Sequence, residues 1–253
     1  MDEGVEVYGE LRHDGLMVVT CEHATRRVPP PLVATAADER LLDAHWGWDP
    51  GAEWVPRRLV DLTSSVGIFS RFSRLVCDPN RDPSDPTWIL TQAEGHCLSF
   101  NQELDEGERE RRRSTYHDPY HQRIDEMLSA RLRLSGDVLL LSVHSFTPVL
   151  GDEVRSMELG VIFDAHEAVA ARFAKRLKAE GFVVALNEPY SGYKNVMYSA
   201  NRHGNEHRVL YLELEIRQDL LGSEEAAKAV AESVYRALKG LGVRKQRRAR
   251  RAI

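Results

Sequence analysis

An α/β sandwich with a largely parallel or mixed sheet is the fold the sequence predicts. Three observations predict it. Short apolar, partly β-branched runs alternate with segments of helical period along most of the 253 residues. No internal repeat or Ser/Gly-rich linker interrupts the alternation, so a single domain is expected over residues 1–243. Several strand-like runs end in histidine or carboxylate, groups that are costly to bury, and ligands of α/β folds bind at the carboxyl ends of strands.

In chain order, strands are expected at Leu16–Thr20, Gly67–Phe72, Arg74–Cys77, Val138–Val143, Leu159–Phe163, Phe182–Leu186 and Val209–Ile216. Helical patterns start at Asp38–His45 and Ala52–Asp61, and a long charged stretch from Asn101 to Leu134 carries apolar residues at helical spacing. Ala165–Glu180 is the cleanest amphipathic segment, with Gly181 as its stop. Ser223–Leu241 carries Glu224 and Glu225 in its first turn, where the helix dipole favours them. Between Asp78 and Gly95, three Asp-Pro steps exclude a regular element in the first half and predict a long ordered loop or lid.

The bulk numbers exclude several classes. With 34 basic against 39 acidic residues the net charge is -5, which offers no global attraction to nucleic acid or an anionic membrane. Cys21, Cys77 and Cys97 are widely spaced and form no CxxC pair, so neither a disulfide framework nor a zinc knuckle is expected. The acidic first residues lack the apolar core of a secretory signal. No window approaches the ~18 apolar residues of a membrane span. A cytoplasmic protein is expected. The basic end of the chain, residues 244–253, reads as a disordered, solvated tail rather than a nucleic-acid or phospholipid contact.

The chemistry should lie where core strands end in polar groups. The first strand runs into Glu22-His23, and "VLLLSVHSFTP" gives His144 and Ser145 after an aliphatic run. "VLYLELEIRQDLL" alternates, with leucines on one face and Tyr211, Glu213, Glu215 and Arg217 on the other; mid-sheet, that polar face would line a pocket. Hydrolytic zinc takes three protein ligands and leaves a place for water. His23 and His144 can supply the nitrogens, with Glu22 or Asp49 as the carboxylate. Adjacent side chains on extended backbone point to opposite faces, which favours Asp49 and leaves Glu22 as the alternative ligand.

Other groupings are weaker. Ser145 beside His144 lacks the G-x-S-x-G elbow of a serine hydrolase. His117 and His121, spaced i,i+4 in "HDPYH", lack the glutamate of an HExxH motif, and on a charged helix they are expected to be exposed. "HGNEH", His203–His207, is a local cluster whose Gly-Asn centre equally reads as a turn between strands. No P-loop and no G-x-G-x-x-G supports a nucleotide cofactor.

Six segments, in order, carry a resemblance: "CEHATRRVP", "HWGWDPGA", "SRLVCDPNRDP", "HDPYHQRI", "LSVHSFTP" and "ELEIRQDLL". Together they resemble the N-formylglutamate amidohydrolase family, from about Thr20 to Leu221. The most specific matches are Asp78–Arg81, Pro119–His121 and His144–Ser145. The resemblance implies a three-layer αβα sandwich, phosphorylase/hydrolase-like, of the zinc carboxypeptidase type. It also implies one Zn2+ per chain on His23, Asp49 and His144, with Glu215 as general base. Asn80 and Arg81, with Arg217 and Ser145, would hold the carboxylates of a small acyl amino acid; Arg217 would alternatively keep Glu215 ionised.

The chain departs from members assigned to histidine degradation. Those carry Pro-His-Ser-Gly where this chain has Glu22-His23-Ala24-Thr25, and a "QLEL" version of the late strand. The expected activity is hydrolysis of the amide of an N-formyl or short N-acyl amino acid, N-formylglutamate among them, as in amino-acid degradation. A metallo-amidase or peptidase acting on peptide or cell-wall amides, and an inactive binding module, are the rival readings.

Overall fold

The computed structural model describes residues 4–15, 17–102, 104–135 and 137–241; the basic tail lies outside them. The elements in chain order are β1 Val5–Gly9, β2 Met17–Cys21, α1 Glu39–Asp43, α2 Trp54–Thr63, β3 Val66–Ser70, a ribbon of β4 Gln92–Ala93 and β5 His96–Cys97, α3 Glu106–Arg112 and α4 Asp118–Ser135. There follow β6 Leu139–Phe146, a ribbon of β7 Val149–Leu150 and β8 Glu153–Val154, β9 Leu159–Ile162, α5 Glu167–Ala179, β10 Val184–Leu186, α6 Tyr198–His207, β11 Leu210–Arg217 and α7 Glu224–Lys239.

Seven strands form one sheet in the order β1-β3-β2-β6-β11-β9-β10. The β1–β3 and β11–β9 pairs are antiparallel and the others parallel. Helices cover both faces. On one, α2, α5 and α7 pack on Val19, Leu141, Leu212 and Leu214; on the other, α4 and α6 pack on Val18, Leu140 and Tyr211. Successive residues of β2, β6 and β11 thus serve opposite layers, as the two-residue strand period requires. The predicted mixed αβα sandwich is present.

α7 shows how sequence sets this. Ala227, Val230, Ala231, Val234, Ala237 and Leu238 recur at helical spacing and are all buried, and the Ser223 hydroxyl accepts a hydrogen bond from the Ala226 N–H to cap the helix. Truncating a buried leucine such as Leu214 to alanine would cost ~2–5 kcal/mol.

Four expectations need correction. Arg74–Cys77 is not a strand: Val76 N–H bonds back to the Ser73 carbonyl, making a turn, and Arg74 N–H is spent on the Gly47 carbonyl. β1 was not foreseen, although "VEVYG" alternates; it adds as an antiparallel edge to β3. His203–His207 belongs to α6 rather than a turn between strands. Gly204 is there because α6 lies against β11: a Cβ would come within 2.0 Å of the Tyr211 ring. His117 and His121 are buried, not exposed; a π-helical segment, Arg113–His117, joins α3 to α4 and turns them inward.

Candidate active site

The polar face of β11 lies mid-sheet. β6 pairs with it in parallel, setting Glu215 opposite His144 and Glu213 opposite Ser142. β2, on the other side of β6, pairs Thr20 with Ser142 and releases Glu22 and His23 just beyond its end. Asp49 is drawn to the same rim by its own N–H, which bonds the His23 carbonyl at 3.0 Å. The segment after β3 brings Asp78, Asn80 and Arg81. His23, Asp49, Asp78, Asn80, Arg81, His144, Glu213 and Glu215 line a cavity of about 350 Å³, with Trp46, Arg74, Ser145 and Tyr190 also in its wall; Glu22 does not reach it.

Three donors converge. His144 Nδ1 is 2.8 Å from Asp49 Oδ2 and 3.1 Å from His23 Nδ1, and His23 Nδ1 is 3.4 Å from the same Asp49 oxygen. The outer nitrogens of both rings face carboxylates. His23 Nε2 is 2.7 Å from Asp78 Oδ1, and His144 Nε2 is 3.3 Å from Glu22 Oε2. A histidine that ligates a metal commonly has its other ring nitrogen held this way. Glu22 therefore sits behind His144, also accepting from the Ser142 hydroxyl at 2.8 Å, rather than beside Asp49.

The electrostatics are those of a cation site. Burial pushes Asp78 up, but Arg74 and His23 outweigh it and hold the carboxyl well below its usual range. Burial likewise opposes ionisation of Glu22, yet its bond with His144 brings it to about 2. Asp49 is lowered too, with His23 and His144 overcoming burial. Burial disfavours protonated His144, but Glu213, Asp49 and Glu22 surround it and lift it well above the ordinary imidazole range. Nearby positive charge comes from Arg74, whose Nη2 donates to Asp78 at 2.7 Å and whose Nη1 reaches His23 Nδ1 at 3.2 Å. Two imidazoles and one carboxylate, with room beyond them, fit a zinc-type ion. A buried oxygen, Glu215 Oε2, has no hydrogen-bond partner among the described residues. Burial raises Glu215 to about 7 and Glu213 to about 8.

The remaining sequence-predicted residues divide. Arg81 lines the cavity, with Asp85 3.8 Å away. Asn80 lines it too, but its amide is turned inward: Nδ2 donates to the Val196 carbonyl at 3.0 Å and Oδ1 accepts from Ser199 N–H at 2.9 Å. Ser145 gives its N–H to Asp49 at 3.2 Å and receives Gln218 Nε2 at 3.3 Å. Arg217 is not brought to the cavity wall. It is bonded to Asp219 at 2.8 Å and to the carbonyls of Arg155, Ser156 and Met157, each at 3.2 Å. Sequence reading missed Asp78 and Arg74 as partners in the site, and gave Glu213 no role beyond its place on the pocket-facing side of β11. The alternation of β11 put Glu213 on the face of Glu215, and that signal was sufficient to find it.

Fold and cavity define an α/β protein with carboxylates and histidines gathered at the ends of its central strands. The family model of the N-formylglutamate amidohydrolases matches residues 16–222, and the chain belongs to that family. Among solved structures it is similar to the gene product Atu2144 from Agrobacterium tumefaciens, 31% identical, covering 93% of this chain and 95% of that one at a TM-score of 0.82. An N-formylglutamate amidohydrolase from Ralstonia eutropha JMP134 shares the fold at 20% identity and a TM-score of 0.70, covering 94% of this chain and 96% of that one. No curated protein matches the sequence. No helix among the described residues is long and apolar enough to cross a membrane.

Proposed function

We propose that the chain is a zinc-dependent amidohydrolase that cleaves the amide of an N-formyl or short N-acyl amino acid, with N-formylglutamate the first substrate to test. The observation that carries this reading is the convergence of His23, His144 and Asp49 within reach of one ion, beside a carboxylate with an unpartnered oxygen. The cavity, about 350 Å³, suits a small molecule better than a polymer.

His23, His144 and Asp49 would hold the ion, with Asp78 and Glu22 fixing the two rings from behind. Zinc, when bound, lowers the pKa of its water toward neutrality and polarises a carbonyl oxygen. Glu215 takes the proton of the attacking water at Oε2 and returns it to the leaving amine; burial, by raising its pKa, suits it to both transfers. Arg81, at the cavity wall, pairs with a substrate carboxylate. Asn80 shapes the wall between His144 and Glu213, lying 3.4 Å from each.

The test is metal content by plasma mass spectrometry together with formate release from N-formylglutamate. Zinc with formate release supports the whole reading. Zinc without formate keeps the hydrolase and sends the substrate search to other N-acyl amino acids. Failure to bind zinc after supplementation overturns the mechanism.

A further inference from the structure

Away from the cavity, the same donor types gather a second time. His203 and His207 stand four residues apart on α6, so both rings project from one helix face, and Asp125 of α4 meets them. Asp125 Oδ1 is 2.7 Å from His203 Nδ1 and 2.8 Å from His207 Nε2. His203 is fully buried, and its other nitrogen, Nε2, is 2.8 Å from His121 Nδ1. His121 Nε2 is 3.2 Å from His117 Nε2. Its neighbour His117 holds the Arg81 carbonyl at 3.1 Å.

We propose that Asp125, His203 and His207 form a second binding site, for a divalent transition cation of the zinc class, and that this cation braces the Asp78–Arg81 loop. One carboxylate oxygen meets two imidazole nitrogens here, the same pattern that Asp49 makes with His23 and His144. Two nitrogens and an oxygen suit zinc, cobalt or nickel and not magnesium or calcium. Asp125 and His207 keep 27% and 13% of their side-chain surface exposed, which gives the ion a way in and leaves positions for water. Arg202 approaches Asp125 only through Oδ2, at 3.8 Å, so Oδ1 stays with the histidines.

The cation also fixes protons. With Nδ1 of His203 ligated, its Nε2–H donates to His121 Nδ1, which leaves the N–H of His121 on Nε2, 3.2 Å from His117 Nε2. His117 in turn meets the carbonyl of Arg81, in the loop that carries Asp78, which holds His23, and Asn80, which touches His144. The second site is thus mechanically linked to the first without sharing a ligand.

Purified full-length protein, stripped with a chelator and dialysed against micromolar zinc chloride, tests this by zinc counted per chain. Wild type should hold two equivalents, and His144→Ala and His207→Ala one each. Hydrogen exchange at residues 78–81 should be faster in zinc-loaded His207→Ala than in wild type. Circular dichroism checks the variant fold; should His207→Ala fail to fold, the near-isosteric Asp125→Asn decides. Zinc lost in His144→Ala but unchanged in His207→Ala overturns the second site. A single equivalent kept in His144→Ala and lost in His207→Ala upholds it and removes the cavity site instead. No zinc in wild type overturns both.

Discussion

His23 Nε2 lies 2.7 Å from Asp78 Oδ1, inside a wall that leaves both side chains almost no solvent. That bond fixes which nitrogen of His23 faces Asp49, and Asp78 is itself held by Arg74 and by the Asn80 N–H at 2.8 Å. Asp78→Asn keeps the volume and removes the charge. Zinc affinity, read by competition with a chromophoric chelator, should fall 10–100-fold with the fold intact. Unchanged affinity would separate Asp78 from the proposed zinc site.

Glu215 has a different signature, because its free oxygen supports no neighbour. Glu215→Gln should lower kcat by about 10²–10⁴ while zinc per chain stays constant. Retained turnover would remove it from proton transfer.

Arg81 should act in binding. Arg81→Ala deletes a charge-assisted contact that contributes ~1.5–3 kcal/mol, so kcat/KM should drop about 10–100-fold, mostly through KM. An N-acyl amine lacking the carboxylate should be hydrolysed equally by both proteins. If both substrates lose rate together, Arg81 shapes the cavity instead.

Stability in acid should depend on Glu108. Its bonds to Arg111, joined by the buried Arg112, outweigh burial and lower its pKa from 4.5 to about 2. A depressed carboxyl stabilises the fold above its unfolded pKa, and that contribution drains away as pH falls from about 4.5 to about 2. Solvent screening of this partly exposed pair holds the effect to about 1 kcal/mol. Urea unfolding across this range should show a shallower pH dependence in Glu108→Gln, and an identical slope would count against the pair.

The fold was legible where periodicity was strong. α5, α7 and the central strands carry unbroken patterns, and their predicted positions agree with the structure to within a few residues. Arg74–Cys77 misled because an apolar run, Leu75 to Cys77, is buried by loop residues together with Leu41 and Leu42 of α1 and Tyr116, rather than by a sheet. α6 was hidden by its Gly-Asn pair, where glycine answers to the ring of Tyr211 rather than to a turn. In the site, the strand ends announced His23, His144 and Glu215. Asp78 did not announce itself as a partner of His23, since nothing in "CDPNRDP" says which way a loop carboxylate turns. Arg217 shows the converse: it shares the face of Glu215 by alternation, yet β11 ends there and the side chain leaves the sheet for Asp219.

His23 and His144 are 121 residues apart in the chain, and Asn80 and Glu213 are 133 apart. No local stretch of the polypeptide can assemble this cavity while it is being made. The β2–β6 and β6–β11 ladders must both close first, and such distant pairings are the slow part of a folding reaction. Ion uptake at the cavity would then mark the end of folding, and a chain arrested with β11 unpaired would be recognisable by its inability to retain zinc.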